Sequence, residues 1–116
     1  MEKSTNYYYM RLKENFFESE DVVLLESMQD GYLYSNILLK MYVKSLKDNG
    51  RLDIRGIPYN PQMIAAMTRH QVETVEKALK IFQDFGFIMI TDDKMISMTD
   101  IRNGRIKIGV HNYERD

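Results

Sequence analysis

Residues 57–98 constrain this chain more than any other stretch, because they dictate two helices and a hairpin in a fixed order. Pro61 suits the first turn of a helix, where its missing N–H leaves no bond unmade, and Asn60 precedes it as the N-cap. Met63, Ile64 and Met67 then share one face. The segment Arg69-His70-Gln71 interrupts the apolar pattern. A second helix carries Val72, Val75, Leu79 and Phe82 at steps of three and four, a core-facing stripe. Asp84-Phe85-Gly86 ends it, with Gly86 in the C′ position that favours glycine. Residues 87–91 and 95–99 are short β-prone runs around Asp92-Asp93-Lys94, a tight-turn signal. Helix-turn-helix followed by a hairpin is the winged-helix order, in which the second helix commonly enters the major groove of DNA.

The flanking sequence supplies the rest of a domain. Tyr8, Met10 and Leu12 alternate with Tyr7, Tyr9, Arg11 and Lys13, which predicts a half-buried strand or extended arm. Three tyrosines beside two cations also have the chemistry to stack and pair with nucleic acid, but a strand packing on the domain is the stronger reading. Residues 14–17 form a helical turn. Ser19 offers an N-cap, with Glu20 and Asp21 near the positive end of a helix through Val22, Val23, Leu24, Leu25 and Met28. A further helix over residues 32–47 is apolar nearly all round between Ile37 and Val43, so it is the central buried helix. Its polar stripe, Lys40, Lys44 and Lys47, is spaced to meet phosphates, but a solvated face that keeps the helix soluble is the stronger reading. Asn49-Gly50 stops it. Residues 51–54 make a short strand placed to pair with the hairpin, and residues 56–60 a loop. Beyond Ile101, Ile106, Ile108 and Val110 alternate with polar residues. That alternation with Arg105 and Lys107 allows a strand, and the tail adds to the hairpin, docks on a second copy or is disordered.

Chemistry narrows the functions open to the chain. There is no cysteine, which excludes disulfides, thiolate zinc sites and a cysteine nucleophile. His70 and His111 are the only histidines, and neither has metal-ligand spacing. No glycine-rich phosphate loop or dinucleotide fingerprint occurs. The expectation is a protein that is not an enzyme and takes no metal or cofactor. No apolar run approaches the ~18 residues that span a bilayer, so no membrane partner is expected. Net charge is −1, with 16 basic against 17 acidic residues, so any contact with nucleic acid must come from local clustering.

The blocks YYYMRLKENFF, VVLLESMQDGYLYSNILLKMYVKSLKDNGRL, IPYNPQMIAAMT, VETVEKALKIFQDFG and MISMTDI, in that order, resemble the N-terminal domain of phage replisome organiser proteins, a family related in architecture to DnaD-type primosome proteins. The resemblance covers roughly residues 7–101, and its most distinctive blocks are G-R-L at 50–52 and I-P-Y-N at 57–60. It implies a winged-helix domain that helps build a replication complex at a phage origin in the bacterial host cytoplasm. It also implies contacts with host replication proteins through a C-terminal domain that lies outside this chain.

The expected fold is therefore α+β and mainly helical: a winged helix-turn-helix with an extra N-terminal strand or arm and helix over residues 1–101, then a tail or the start of a linker over 102–116. Its core is expected to include Leu38, Met41, Ile64, Val75, Leu79 and Phe82. One reading of its function is binding of origin duplex DNA, with Arg69, His70, Gln71, Thr74, Lys77 and Lys80 toward the groove and Lys94 touching phosphate from the wing tip. Gly is frequent in the turn of such motifs and Ser or Thr caps the second helix, whereas here Arg69 and Gln71 stand there. Thr68 with Gln71 is an alternative capping box. The other reading is a protein-assembly module that binds little DNA and forms a homo-oligomer through Tyr7, Tyr8 and Tyr9, since tyrosine is enriched in interfaces.

Overall fold

Alternation sets the first strand, as the sequence predicts. In the computed structural model, which describes residues 5–113, β1 (Thr5–Arg11) turns Tyr8 and Met10 toward the core and Tyr7 and Tyr9 outward. A 3₁₀ turn (Phe16–Glu18) leads to α1 (Glu20–Ser27). Ser19 is the N-cap, but its hydroxyl donates back to the Phe16 carbonyl, so the expected capping bond to the helix is not made. Only Val22 and Leu25 of α1 are buried.

Helix α2 (Gly31–Lys44) is the centre of the fold, with Ile37, Leu38, Met41 and Tyr42 almost wholly buried. It ends three residues earlier than expected. The buried Ser45 hydroxyl donates to the Tyr42 carbonyl at 2.8 Å, a local side-chain bond that competes with helix continuation. A 3₁₀ turn (Leu46–Asp48) follows, and Asn49 and Gly50, both at positive φ, reverse the chain.

Strand β2 (Arg51–Ile54) pairs antiparallel with β3 (Ile57–Pro58), a strand that the expected loop over 56–60 did not include. The connection is the two-residue turn Arg55-Gly56, with φ of 53° and 85°. Positive φ at both central residues is what a type I′ hairpin requires. Asp53 Oδ2 accepts the Gly56 N–H at 2.7 Å and closes the turn. Helix α3 (Pro61–Thr68) is capped by Asn60, whose side chain accepts the Met63 N–H. Helix α4 (Val72–Phe85) buries Val75, Ala78, Leu79 and Phe82 and ends at Gly86 with φ of 80°. The short strands β4 (Ile88–Ile90) and β5 (Ile96–Met98) form the expected hairpin. As expected too, β2 pairs with it, Arg51 opposite Ser97 and Leu52 opposite Ile96, giving a sheet of order β3-β2-β5-β4. The fold is α+β, and each of the six residues expected in its core is buried.

The segment beyond Ile101 neither joins the hairpin nor lacks order over Lys107–Tyr113. Helix α5 (Thr99–Arg102) is tied to α2, where the Tyr42 hydroxyl donates to Asp100 Oδ2 at 3.2 Å. Burial and the Asp100 charge hold the Tyr42 pKa well above its ordinary range. Strand β6 (Lys107–Tyr113) then pairs antiparallel with β1 along the whole of both strands. Tyr9 stands opposite Gly109, and its ring lies where a side chain at 109 would be, so this ribbon needs glycine there.

Candidate nucleic-acid interface

The turn between α3 and α4 is built by backbone strain at one residue. Arg69 ends α3 in the left-handed region, with φ of 62° and ψ of 47°. The N–H groups of both Arg69 and His70 donate to the Ala65 carbonyl, at 2.8 and 3.1 Å, which satisfies the frayed end of the helix. Thr68 is the last residue of α3. Its hydroxyl is fully buried and donates to the Ile64 carbonyl, so it does not form the capping box anticipated with Gln71. Gln71 is the N-cap of α4 without a side-chain bond.

Helix α2 braces this turn from the side. Lys40 Nζ donates to the Thr68 carbonyl at 2.8 Å, placing a cation on the negative end of α3. His70 Nε2 donates to Asn36 Oδ1 at 2.8 Å. Burial first, and the Lys40 charge second, lower the His70 pKa below its ordinary value. Asn36 and Lys40 were not among the expected site residues, since both bonds cross from one helix to another.

The ten expected site residues are not one cluster. Arg69, His70, Gln71 and Thr74 lie at the N-terminal end of α4. Arg69 and Gln71 are exposed, His70 is half-buried, and Thr74 sits at the edge of the buried face. Lys77 and Lys80 are exposed one and two turns further along. Lys94 is exposed beside Leu79 and Gln83, near the other end of the helix. The loop that carries it, Asp92-Asp93-Lys94, is a turn closed by a residue in the left-handed region, Lys94 having φ of 73°. The Thr91 hydroxyl donates to Asp93 Oδ1 and, with backbone N–H groups, holds the Asp93 carboxyl below its usual range. Of the tyrosines, Tyr8 packs on the core, Tyr9 covers Gly109 and Tyr7 is exposed on the same ribbon face as Tyr9.

The outward face of α4 is not basic. Glu73, Glu76 and Asp84 are exposed with Lys77 and Lys80, three acids against two bases. Each lysine has a glutamate four residues before it, the spacing and order in which such charges compensate one another along a helix.

A family model for the N-terminal phage replisome organiser matches residues 9–111, nearly the whole chain, including the strand beyond Ile101. The chain belongs to that family. Membership assigns this replisome organiser domain a role in phage DNA replication initiation. No curated protein and no solved structure matches it. Among its described residues, no helix is long and apolar enough to cross a membrane, and no three His, Asp or Glu side chains converge on a metal site.

Proposed function

We propose that this replisome organiser domain is a winged helix that binds duplex DNA of a phage replication origin, without catalysing a reaction of its own. In this reading α3 and α4 are the helix-turn-helix, α4 is the recognition helix, and the β4–β5 hairpin is the wing, with β2 as the strand that completes its sheet. The N-terminal end of α4 lies deepest in the major groove, so Arg69, His70 and Gln71 face base edges. Thr74, Lys77 and Lys80 follow along the groove wall, and Lys94 reaches phosphate from the wing.

The observation that carries the reading is Arg69. A long cation occupies a left-handed turn position that glycine would fill with less strain, and it does so beside the start of α4. Near-zero net charge supports few phosphate contacts, so binding is weak and its log–log salt slope small, about −2 to −4. The test is a salt series of gel shifts on origin and random duplexes. Arg69→Ala and Gln71→Ala are expected to reduce the preference for origin sequence, and binding by both variants equal to wild type would refute the assignment.

One observation favours a second reading, self-assembly. Among the described residues β1 and β6 form a two-stranded sheet joined by no third strand, and it exposes Tyr7, Tyr9 and Val110. Light scattering on the same samples reads this directly. A mass above monomer that falls in Val110→Lys supports the ribbon as the interface.

A further inference from the structure

We infer that the main phosphate-contacting surface of this domain is the outer face of α2 and the turn that follows it, flanking the helix-turn-helix, and that it carries more of the DNA-backbone affinity than α4 or the hairpin. The inference rests on the DNA-binding reading and relocates its electrostatics.

Between Asp30 and Asp48 the chain has three lysines and no acidic residue. Lys40 and Lys44 are exposed along one side of α2, and Lys47 is exposed on the 3₁₀ turn after it. They are spaced four and three residues apart, which along a helix is a rise of about 6 and about 4.5 Å. Arg69 extends the row at one end, where it lines an open groove with Asn36, Lys40, Val43, Lys44 and Met67 that contains no carboxylate. At the other end Lys44, Lys47 and Arg51 line a second concavity, together with Asp48 and Asp53. Lys44 borders both, so the five cations form one continuous track. Asp53 already accepts the Gly56 N–H, and among the described residues the one ion pair within 4.0 Å, Arg105 with Asp100, involves none of these five cations.

Lys40 makes the track rigid where it meets the turn. One of its N–H groups is committed to the Thr68 carbonyl, and the other two are available to a phosphate oxygen. The contrast with α4 is one of sign. The lysines of α4 are matched by Glu73 and Glu76 on the same face, whereas those of α2 have no acid within the helix. Because the track begins at Arg69, a duplex with its major groove on the start of α4 lays a flanking backbone strand along α2. From Asn36 to Lys47 the chain rises about 16 Å, enough to follow several phosphates of one strand.

The test compares two double variants of the full chain by fluorescence anisotropy with a duplex and with a single strand of the same sequence, over a range of salt. Lys44→Ala/Lys47→Ala is expected to weaken duplex binding at least tenfold near 100 mM salt and to reduce the salt slope by about 2, one for each phosphate that is no longer neutralised. Lys77→Ala/Lys80→Ala is expected to change the slope by less than half as much. All four lysines are exposed, and equal urea midpoints confirm that each variant is folded. If wild type binds duplex but the α2 pair keeps its slope while the α4 pair loses it, the inference is wrong and the DNA-binding reading stands. If the α2 pair lowers single-strand binding and leaves duplex binding intact, the inference is also wrong. If wild type binds neither form even at low salt, the reading beneath it falls as well.

Discussion

Replacing Arg69 by glycine separates what the turn needs from what its side chain does. A residue with a Cβ in the left-handed region costs roughly 1–2 kcal/mol relative to the right-handed one, a cost glycine escapes. Glycine also gains freedom in the unfolded chain, which offsets roughly 0.4–1 kcal/mol. The Arg69 side chain is exposed, and among the described residues it makes no hydrogen bond or ion pair that the substitution would remove. The net expectation for Arg69→Gly is a gain of about 0.5–1 kcal/mol, read as a higher urea midpoint with unchanged slope. Arg69→Ala is the control, because it removes the same cation and keeps the strained backbone. Its stability should lie within about 0.5 kcal/mol of wild type. Under the DNA-binding reading both variants lose duplex affinity together, so the glycine variant is the more stable and the weaker binder. A glycine variant no more stable than the alanine variant would refute the claim that this turn is strained.

Gly109→Ala should destabilise by about 1–3 kcal/mol, because its methyl group would occupy the space of the Tyr9 ring. A double-mutant cycle with Tyr9→Ala checks the cause, and fully additive losses would show that the ring is not what the new methyl meets. For His70 the lowered folded-state pKa means that the unfolded chain takes up the proton first. Its contribution is therefore present above the ordinary value of 6.5 and is lost as pH falls below that value. Urea midpoints across this range should fall less steeply in His70→Asn than in wild type.

Most of the helix order was legible because its signals are local. Asn60 before Pro61 and Gly86 after Phe85 act on backbone groups within a few residues, and Val75, Leu79 and Phe82 repeat at the helical period. The hairpin was legible for the same reason. What escaped is set by partners distant in sequence or by residues in unusual roles. Strand β3 is two residues long and follows a turn with arginine where asparagine would be expected. The place of β6 depends on β1, about a hundred residues away, and alternation alone names no partner. Thr68 and Gln71 have capping-box chemistry, but Thr68 remains inside α3 because the chain does not turn until Arg69. At the candidate site, the lysines at 40, 44 and 47 are spaced to meet phosphates, yet their pattern also fits an ordinary solvated face, the stronger reading from sequence alone. Their one distinguishing signal in the sequence was the lack of acids between Asp30 and Asp48, and only the bond from Lys40 to Thr68 joins them to the turn.

A net charge of −1 limits how many phosphate contacts the domain can make, and position decides where they lie. Of the five residues other than glycine at positive φ, Asp30 and Asn49 are types that tolerate the left-handed region, and the remaining three are Arg55, Arg69 and Lys94. Each stands at an exposed turn where glycine would be less strained. The pairing of Leu52 with Ile96 brings the Arg55 turn and the Lys94 turn to the same end of the sheet, while Arg69 stands at the start of α4. The backbone thus carries strain at three places where a cation projects from a rigid turn. Of the 17 acids, seven lie at or before Asp30, three on the outward face of α4 and two in the hairpin loop beside Lys94. Charge here is distributed by position, and a domain near neutral in sum can present a row of cations with no acid at its Arg69 end and with Asp48 and Asp53 at the other.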